Sequence, residues 1–514
     1  MSAPFRLTDV VRDHARDHGA RVALTAGEQT MTYTELEDRS ARVAGGLRDL
    51  GLGEGGRVVW IGKNATPFFE LLFGAAAIRA AVAPLNLRLT PAELIDLVGD
   101  AEAGLVVLGP EFAGLREKLV GASGATGDGP DRKVLVVGDD YEGWVDGLSE
   151  RVEPSGDTTD DDAVLQLYTS GTTGRAKGVL LSHGNFAALL SVGGHWGFDD
   201  ESVGLVAMPL FHIGGSGFAL VCLSFGARVV LVADIVPDQL LETMATERVS
   251  NAFLVPAVLQ MLCAVPGAAD RDWSRLRAVA YGASPITGAV LNKVLSTFDA
   301  PLFQVYGATE TTGAITQLDP SDHDPDGPRA HLMRSAGKAY PWVELKIVVD
   351  EKDVGPNEIG EVHIRSSQVT AGYWHRPDET EKALTSDGWL KTGDGGYLDE
   401  EGYLFLTDRI KDMIVTGAEN VYPIEVENVV AQHPAVADVA VIGVPDERWG
   451  EAVKAVVVAN EGETIDPDEL LAWTKERIAG FKRPRSVDVV DALPRNATGK
   501  ILKKDLRAQY AEGS

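Results

Sequence analysis

Residues 164–179, VLQLYTSGTTGRAKGV, join an apolar run to a cluster of hydroxyls, glycines and a lysine. Glycines let backbone N–H groups approach phosphate oxygens, hydroxyls add donors, and Lys177 supplies a positive charge. The spacing differs from the Walker A pattern, because two residues separate Gly174 from Lys177, and Gly178 stands where that pattern has Ser or Thr. The segment therefore predicts a phosphate-binding loop outside the P-loop fold.

Further segments carry groups suited to the same chemistry. They are MPLFHIGG (208–215), YGAS (281–284), YGATE (306–310), KTGD (391–394) and PRNATGK (494–500). The carboxylate of Glu310 suits Mg²⁺, which prefers carboxylate and phosphate oxygens. Taken alone, Glu310 is an ordinary loop acid, Asp394 is a typical turn cap, and His212 at the end of an apolar run is as readily structural as functional.

The stretches between these motifs alternate strands and helices. Apolar, β-branched runs predict buried strands at 58–62, 105–109, 133–139, 227–233 and 277–282. One helix is predicted over 32–51, with Thr34 at its N-cap. Another is predicted over 90–102, where Thr90 and Glu93 form a capping box. This alternation indicates crossover connections and parallel sheets.

The predicted pattern of secondary structure changes towards the C-terminus. From about residue 343, short strands separated by turns predict a β-rich module. After TDRIKD (407–412) a smaller α/β pattern follows. We therefore place a domain boundary at Asp408, in keeping with a chain too long for one core.

Composition narrows the class of protein. The 514 residues include 76 acidic and 47 basic side chains, for a net charge of −29, which disfavours general nucleic-acid binding. Cys222 and Cys263 both lie in apolar stretches, which excludes a disulfide framework and a Cys-based metal site. The sequence contains no run of the ~18 apolar residues that a membrane span needs, and its N-terminus has no apolar signal core. We expect a cytoplasmic enzyme.

In their order along the chain, these motifs resemble those of the adenylate-forming enzymes, which include acyl-CoA synthetases, adenylation domains of peptide synthetases and luciferases. Residues 164–179 resemble the phosphate loop, YGATE the adenine and magnesium motif, and KTGD the ribose motif. TDRIKDMIVTGAENVYP (407–423) resembles the hinge motif, and PRNATGK the motif of the C-terminal catalytic lysine. One match of this kind is weak, whereas five in order are specific.

The resemblance implies a two-step reaction. A carboxylate attacks the α-phosphorus of ATP, releasing pyrophosphate and giving an acyl-adenylate; the thiol of CoA then gives acyl-CoA and AMP. ATP, Mg²⁺ and CoA are the implied cofactors. The implied ATP- and AMP-binding residues are Thr169, Ser170, Gly171, Thr172, Thr173, Gly174, Lys177, Gly282, Ala283, Ser284, Tyr306, Gly307, Asp394, Arg409 and Asn420. The implied catalytic residues are Lys500, Glu310, Thr309 and His212.

Within these sets the resemblance implies individual roles. The loop residues grip the β- and γ-phosphates, Thr309 contacts the α-phosphate, and Glu310 holds Mg²⁺. Tyr306 stacks on the purine, while Asp394 and Arg409 contact the ribose. Lys500 neutralises charge that develops on the α-phosphate and the carboxylate.

The implied acyl pocket and CoA tunnel carry the information on substrate. The pocket residues are His212, Ile213, Gly214, Thr312 and Gly313, and the CoA residues are Lys411, Gly417 and Ala418. The pocket walls are small and apolar, with no evident Arg or Lys for a second substrate charge, which favours a hydrophobic monocarboxylic acid over an amino acid. The chain departs from the family at Ala418, where a second glycine is common, and at Val415, where some aryl-CoA ligases carry a lysine.

The predicted fold class is α/β. A large N-terminal domain over 1–407 contains parallel α/β sheets and the β-rich subdomain, and a small mobile α+β lid over 408–514 turns at Asp408. The predicted activity is ATP-dependent ligation of a medium- or long-chain fatty acid, or of another hydrophobic acid, to CoA. The alternatives are an aryl- or cinnamic acid–CoA ligase, an enzyme that passes the acyl group to a carrier protein or another nucleophile, and a silent sensor of ATP or acyl-CoA. A homodimer is left open.

Overall fold

The computed structural model describes residues 4–121, 132–169, 176–284, 286, 288–409, 412–416, 419–446, 450–475, 477–495 and 501–511. The strands are β1 (Val22–Ala26), β2 (Gln29–Thr32), β3 (Arg57–Ile61), β4 (Ala81–Pro84), β5 (Leu105–Leu108), β6 (Lys133–Val136), β7 (Ala163–Thr169), β8 (Lys177–Ser182), β9 (Val203–Val206), β10 (Arg228–Leu231), β11 (Asn251–Leu254), β12 (Ala278–Gly282), β13 (Leu302–Ala308), β14 (Gly313–Leu318), β15 (Lys338–Ala339), β16 (Glu344–Val349), β17 (Lys352–Asp353), β18 (Gly360–Arg365), β19 (Leu390–Leu398), β20 (Leu404–Arg409), β21 (Ile414–Thr416), β22 (Glu419–Val421), β23 (Val436–Asp446), β24 (Gly450–Ala459) and β25 (Ser486–Val489).

The α-helices are α1 (Asp9–His18), α2 (Tyr33–Asp49), α3 (Thr66–Ala77), α4 (Pro91–Asp100), α5 (Arg116–Gly121), α6 (Asp139–Asp146), α7 (His183–Leu190), α8 (Val192–His195), α9 (Ile213–Ser224), α10 (Pro237–Thr246), α11 (Pro256–Ala264), α12 (Gly288–Phe298), α13 (Pro377–Ala383), α14 (Pro423–Val430), α15 (Pro467–Lys475) and α16 (Lys503–Ala511). Among the described helices, none combines the length and the apolar composition that crossing a bilayer requires.

A first sheet has the strand order β6-β5-β3-β4-β7-β8. Its neighbouring strands are parallel except β7 and β8, which are antiparallel. The predicted strands at 58–62, 105–109 and 133–139 are confirmed as β3, β5 and β6. Since β7 leads into the predicted phosphate loop and β8 begins at Lys177, this sheet positions the lysine.

A second, larger sheet has the order β15-β14-β13-β12-β11-β9-β10-β1-β2. Six neighbouring strands of this sheet, β13-β12-β11-β9-β10-β1, run parallel. Strand β14 runs antiparallel beside β13. The motifs at 281–284 and 306–310 begin at the carboxyl ends of β12 and β13. Ligands of parallel α/β sheets bind at that edge, so the topology brings the two motifs to one site.

The β-rich module is an antiparallel sheet with the order β17-β16-β18-β19-β20, as the pattern from residue 343 predicts. A separate C-terminal sheet has the order β22-β21-β24-β23, with β25 added parallel to β24. Helices α14 and α16 pack on β23 and α15 packs on β25, so the C-terminal part is α+β. The predicted fold class is confirmed.

The two predicted helices illustrate how capping sets a boundary. Helix α4 begins after Thr90, whose hydroxyl accepts from the backbone N–H of Glu93, while the Glu93 carboxylate accepts from the N–H of Thr90; this confirms the predicted capping box. The N-cap predicted at Thr34 is wrong. The helix begins two residues earlier, because Thr32 forms a capping box with Glu35.

Candidate active site

Several predicted site residues lie outside the described residues. They are Ser170, Gly171, Thr172, Thr173, Gly174, Lys411, Gly417, Ala418 and Lys500. For Asp408, Arg409 and Asn420 only the backbone is described. The roles predicted for these residues stay predictions.

The predicted phosphate lysine and the predicted metal carboxylate both contact one tyrosine. Lys177 begins β8, forms an ion pair with Glu379, and lies 4.9 Å from the centre of the Tyr373 ring. The hydroxyl of Tyr373 donates a hydrogen bond of 3.0 Å to Oε1 of Glu310. Glu310 belongs to a short 3₁₀ turn, Thr309–Thr311, that follows β13 directly. Two motifs far apart in sequence thus meet through Tyr373.

The donor set around Glu310 fits Mg²⁺ that is shared with phosphate. Among the described residues, no group of three or more His, Cys, Asp or Glu side chains could hold a metal ion without help. Mg²⁺ is usually bound by one or two carboxylates together with substrate phosphates. Glu310, next to the lysine of a phosphate loop, matches that pattern of binding.

The ribose motif is joined to the adenine motif by a direct contact. The hydroxyl of Tyr306 donates a hydrogen bond of 2.7 Å to Oδ2 of Asp394. Asp394 follows Gly393, which has a φ of +71° and whose N–H donates to Glu361. In the β19–β20 pairing Asp394 lies opposite Arg409, so the backbone brings the two predicted ribose residues to one place.

Two glycines among the predicted ATP- and AMP-binding residues lie where neighbouring strands pack closely. A Cβ on Gly282 would lie 2.3 Å from the carbonyl oxygen of Val305, and one on Gly307 would lie 1.8 Å from that of Gly313. Only glycine fits at either position. Ala283 has a left-handed φ of +68°, which is unusual for a residue with a side chain and is often found at functional sites.

His212, a residue of the predicted acyl pocket, forms the N-terminal boundary of α9. Burial, and to a smaller degree the charge of Arg88, lowers the pKa of His212 to about 4, so its imidazole is neutral near pH 7. Its Nε2 atom is buried and has no hydrogen-bond partner among the described residues. A neutral imidazole of this kind can form a hydrogen bond with an incoming carboxyl group.

The two predicted walls of the acyl pocket meet at apolar atoms. A Cβ on Gly313 would lie 3.5 Å from both Ile213 and Leu189. A Cβ on Gly217 would lie 3.1 Å from Ile213 and 3.2 Å from Leu189. The start of α9, helix α7 and the start of β14 therefore pack together in one apolar region.

Two other predicted pocket residues are closely confined. A Cβ on Gly214 would lie 2.7 Å from Cε1 of Phe253, so this glycine allows α9 to approach β11. The side chain of Thr312 is fully buried, and its hydroxyl donates a hydrogen bond of 2.6 Å to the backbone oxygen of Gln368. Both positions fix the packing of the segments predicted to line the acyl pocket.

Sequence reasoning missed several residues of this site. Tyr373 and Glu379 lie in GYWHRPDET, a segment without a recognised chemical pattern. Leu189 is one apolar residue among many in α7. The one available signal was Gly372 in front of two aromatic residues, since a glycine there indicates close backbone packing. Arg88 was missed as well, although its charge reaches His212.

Comparison with known proteins decides the family. The family model of the AMP-binding enzyme matches residues 11–374, and that of the AMP-binding enzyme C-terminal domain matches residues 425–500. The chain belongs to the AMP-binding enzyme family. The prediction of an adenylate-forming enzyme is confirmed.

Members of the AMP-binding family resemble the chain over nearly its whole length. The fatty acid–[acyl-carrier-protein] ligase ScoC of Streptomyces coeruleorubidus is 38% identical over 97% of this chain and 95% of its own. The feruloyl-CoA synthase of an Amycolatopsis species is 37% identical over 95% of this chain and 96% of its own. The structure of ATP-bound MatB from Rhodopseudomonas palustris superposes with a TM-score of 0.89 at 30% identity, covering 98% of each chain. The predicted enzyme class, an AMP-forming acid–thiol ligase, is confirmed.

Proposed function

We propose that this enzyme joins a hydrophobic monocarboxylic acid to CoA in two ATP-dependent steps. The first forms an acyl-adenylate and pyrophosphate, and the second forms acyl-CoA and AMP. The observation that carries the choice of substrate is the apolar region formed by Leu189, Ile213 and Gly313, next to the neutral imidazole of His212.

For the nucleotide, the proposed roles rest on the contacts of the described residues. Lys177 neutralises phosphate charge, Glu310 holds Mg²⁺ together with the phosphates, and Asp394 accepts hydrogen bonds from the ribose. Bound Mg²⁺ supplies charge stabilisation to the phosphates. The hydrogen bond between Tyr306 and Asp394 supports this placement, because it keeps the carboxylate and the tyrosine ring side by side.

For the acid, His212 orients the carboxyl group by a hydrogen bond and the apolar region takes the tail. Since the imidazole is neutral, it contributes no charge that would favour a second carboxylate. Burying an apolar tail contributes roughly 25 cal/mol per Å² of surface removed from water. The apolar walls therefore favour fatty or other hydrophobic acids, while Arg88 is the described cation whose charge reaches His212 at the carboxyl end.

For the second step, we propose that residues 408–514 act as a lid that turns at Asp408. Lys500 and the thiol of CoA need the same volume around the carboxyl carbon, so one small domain presents each in turn. Lys500→Ala is expected to abolish formation of the acyl-adenylate while leaving thioester formation from supplied acyl-adenylate largely intact. Equal loss of both steps would contradict the alternation.

A second candidate function is transfer of the acyl group to a carrier protein. The observation in its favour is the 38% identity to ScoC, a fatty acid–[acyl-carrier-protein] ligase. This alternative shares the first step and differs only in the thiol that is used as acceptor.

One experiment separates these functions. Pyrophosphate release is measured with saturated fatty acids of increasing length, ferulate, malonate and an amino acid, each without acceptor, with CoA and with a phosphopantetheinylated carrier protein. We expect the highest kcat/KM with a fatty acid and turnover with CoA. Turnover with the carrier protein alone would establish the second candidate, and preference for malonate would contradict the apolar pocket.

We also propose a cytoplasmic location, because ATP and CoA, the substrates of this chemistry, are available there. The assembly is a separate question. Size-exclusion chromatography with light scattering distinguishes a monomer from the homodimer.

A further inference from the structure

The segment of residues 370–380 lies between the two charged groups of the proposed ATP site, and we name it the crossing segment. On one side it pairs with β8: the N–H of Leu180 donates to the oxygen of Gly372, and the N–H of Trp374 donates to the oxygen of Gly178. On the other side the N–H of Thr370 donates a hydrogen bond of 2.8 Å to the backbone oxygen of Glu310. The crossing segment is thus bound to both functional motifs.

The crossing segment is itself held firmly. The Arg376 guanidinium forms an ion pair of 2.7 Å with Asp100, and the Trp374 indole donates to the backbone oxygen of the same Asp100. Gly372 has a φ of +144°, and a Cβ there would lie 2.5 Å from Cγ2 of Thr380. Side chains that this segment presents therefore have fixed positions.

Two of those side chains face Lys177. Glu379, in the first turn of α13, forms an ion pair with its ammonium group, and the ring of Tyr373 packs beside that group. Both partners of the ion pair are mostly buried, with side-chain exposures of 17% for Lys177 and 22% for Glu379. Screening by solvent is therefore weaker here than for a surface pair.

Lysine has a long, flexible side chain, and a free ammonium group samples many positions. An ammonium group has three N–H donors, so one can remain on Glu379 while the others reach phosphate oxygens. Fixing the side chain before the nucleotide arrives removes part of the entropy cost of binding.

We infer that Glu379 is a positioning residue that holds Lys177 ready for the phosphates of ATP. The inference rests on the proposed function of Lys177, and it adds a residue outside the motif that carries that lysine. Glu379 acts through Lys177 and contacts no phosphate itself.

The test measures the affinity for ATP·Mg²⁺ by calorimetry without any acid, followed by KM and kcat for adenylation. Glu379→Gln keeps the side-chain volume and removes the charge. We expect the Kd and the KM for ATP to rise about tenfold, as for loss of one charge-assisted contact, with little change in the KM for the acid. The matched control is Glu381→Gln, an exposed position on the same helix, which should behave as the wild type.

A double-mutant cycle then separates positioning from a general structural role. In the Lys177→Ala background, Glu379→Gln should change the affinity for ATP by less than about twofold, because the lysine through which it acts is gone. The inference would be overturned if Glu379→Gln lowered the affinity for ATP as much in the Lys177→Ala background as in the wild type. Tighter ATP binding by Glu379→Gln alone would overturn it as well. Failure of the proposed function has a different signature: wild-type protein that binds ATP but releases no pyrophosphate with any acid.

Discussion

The proposed nucleotide side and the proposed acid side of the site are built from different kinds of contact. On the nucleotide side, charged and polar groups from separate segments are paired in definite directions, as in the Tyr306–Asp394 hydrogen bond. On the acid side, aliphatic groups and glycines meet without directional contacts, and the buried Nε2 of His212 has no partner within the described part of the chain. Directional contacts tolerate little change, whereas an apolar space can change its volume. We therefore expect the chemistry to be fixed on one side and the choice of acid to be made on the other.

The largest effect is expected on the nucleotide side, at Glu310. Glu310→Gln keeps the volume but removes the charge proposed to hold Mg²⁺, so acyl-adenylate formation should fall by at least about a hundredfold. Pyrophosphate release over a range of Mg²⁺ concentrations measures this. Full activity of the variant would show that Glu310 does not hold Mg²⁺. The nucleotide side would then not be more sensitive to change than the acid side.

An intermediate effect is expected on the acid side, at Ile213. Ile213→Trp narrows the proposed acyl pocket, so kcat/KM for long relative to short acids should fall about tenfold. Ile213→Ala widens the pocket, so the same ratio should rise about tenfold. The KM for ATP serves as the internal control and should not change. An unaltered acid profile in both variants would place the acyl tail elsewhere.

A smaller effect is expected at the tyrosine between the charged groups. Tyr373→Phe removes the hydrogen bond to Glu310 and keeps the ring beside Lys177. The Mg²⁺ concentration for half-maximal rate should rise roughly threefold to tenfold, as for loss of one hydrogen bond.

The matched control for that variant is Tyr403→Phe. It removes a comparable hydrogen bond of 2.9 Å from a tyrosine to a carboxylate, that of Asp322, which lies outside the site. If both variants shifted the Mg²⁺ requirement equally, the change would reflect general loosening and not the position of Glu310.

The smallest effect on rate concerns pH. Because the pKa of His212 is about 4, its imidazole stays neutral from pH 6 to 8, and its titration should produce no inflection in the rate over that range. Stability responds differently. The unfolded chain takes up a proton near pH 6.5 and the folded chain only near pH 4, so stability falls as the pH drops between these values.

His212→Asn should lose less stability than the wild type over that interval. Thermal unfolding at pH 4.5 and 7 measures the difference. A rate inflection near pH 6.5 that disappears in His212→Asn would show instead that the imidazole is charged during turnover.

Much of the fold could be predicted because its signals are local. Buried strands such as β3 and β5 are short apolar runs, and the Thr90–Glu93 capping box lies within four consecutive residues. The cap of α2 was misplaced because Thr32 and Thr34 are each followed three residues later by a glutamate, Glu35 and Glu37, so the capping-box pattern fits both.

The site was predictable only where a motif marks it. Lys177 and Glu310 stand in recognisable segments, whereas Glu379 acquires its meaning from an ion pair with a residue distant in sequence. Leu189 resembles every other core leucine until α7, α9 and β14 are placed together. Contacts of this kind depend on tertiary packing, which local patterns do not encode.

The proposed nucleotide site draws one residue from each of three sheets: Lys177 from β8, Tyr306 from β13 and Asp394 from β19. A nucleotide bound there would act as a non-covalent cross-link between the three sheets, in addition to the hydrophobic core that they share. At a concentration a hundred times its Kd, such a ligand adds about 2.7 kcal/mol to every opening that releases it. Saturation with ATP should therefore slow amide hydrogen exchange in all three sheets together and make their unfolding more cooperative.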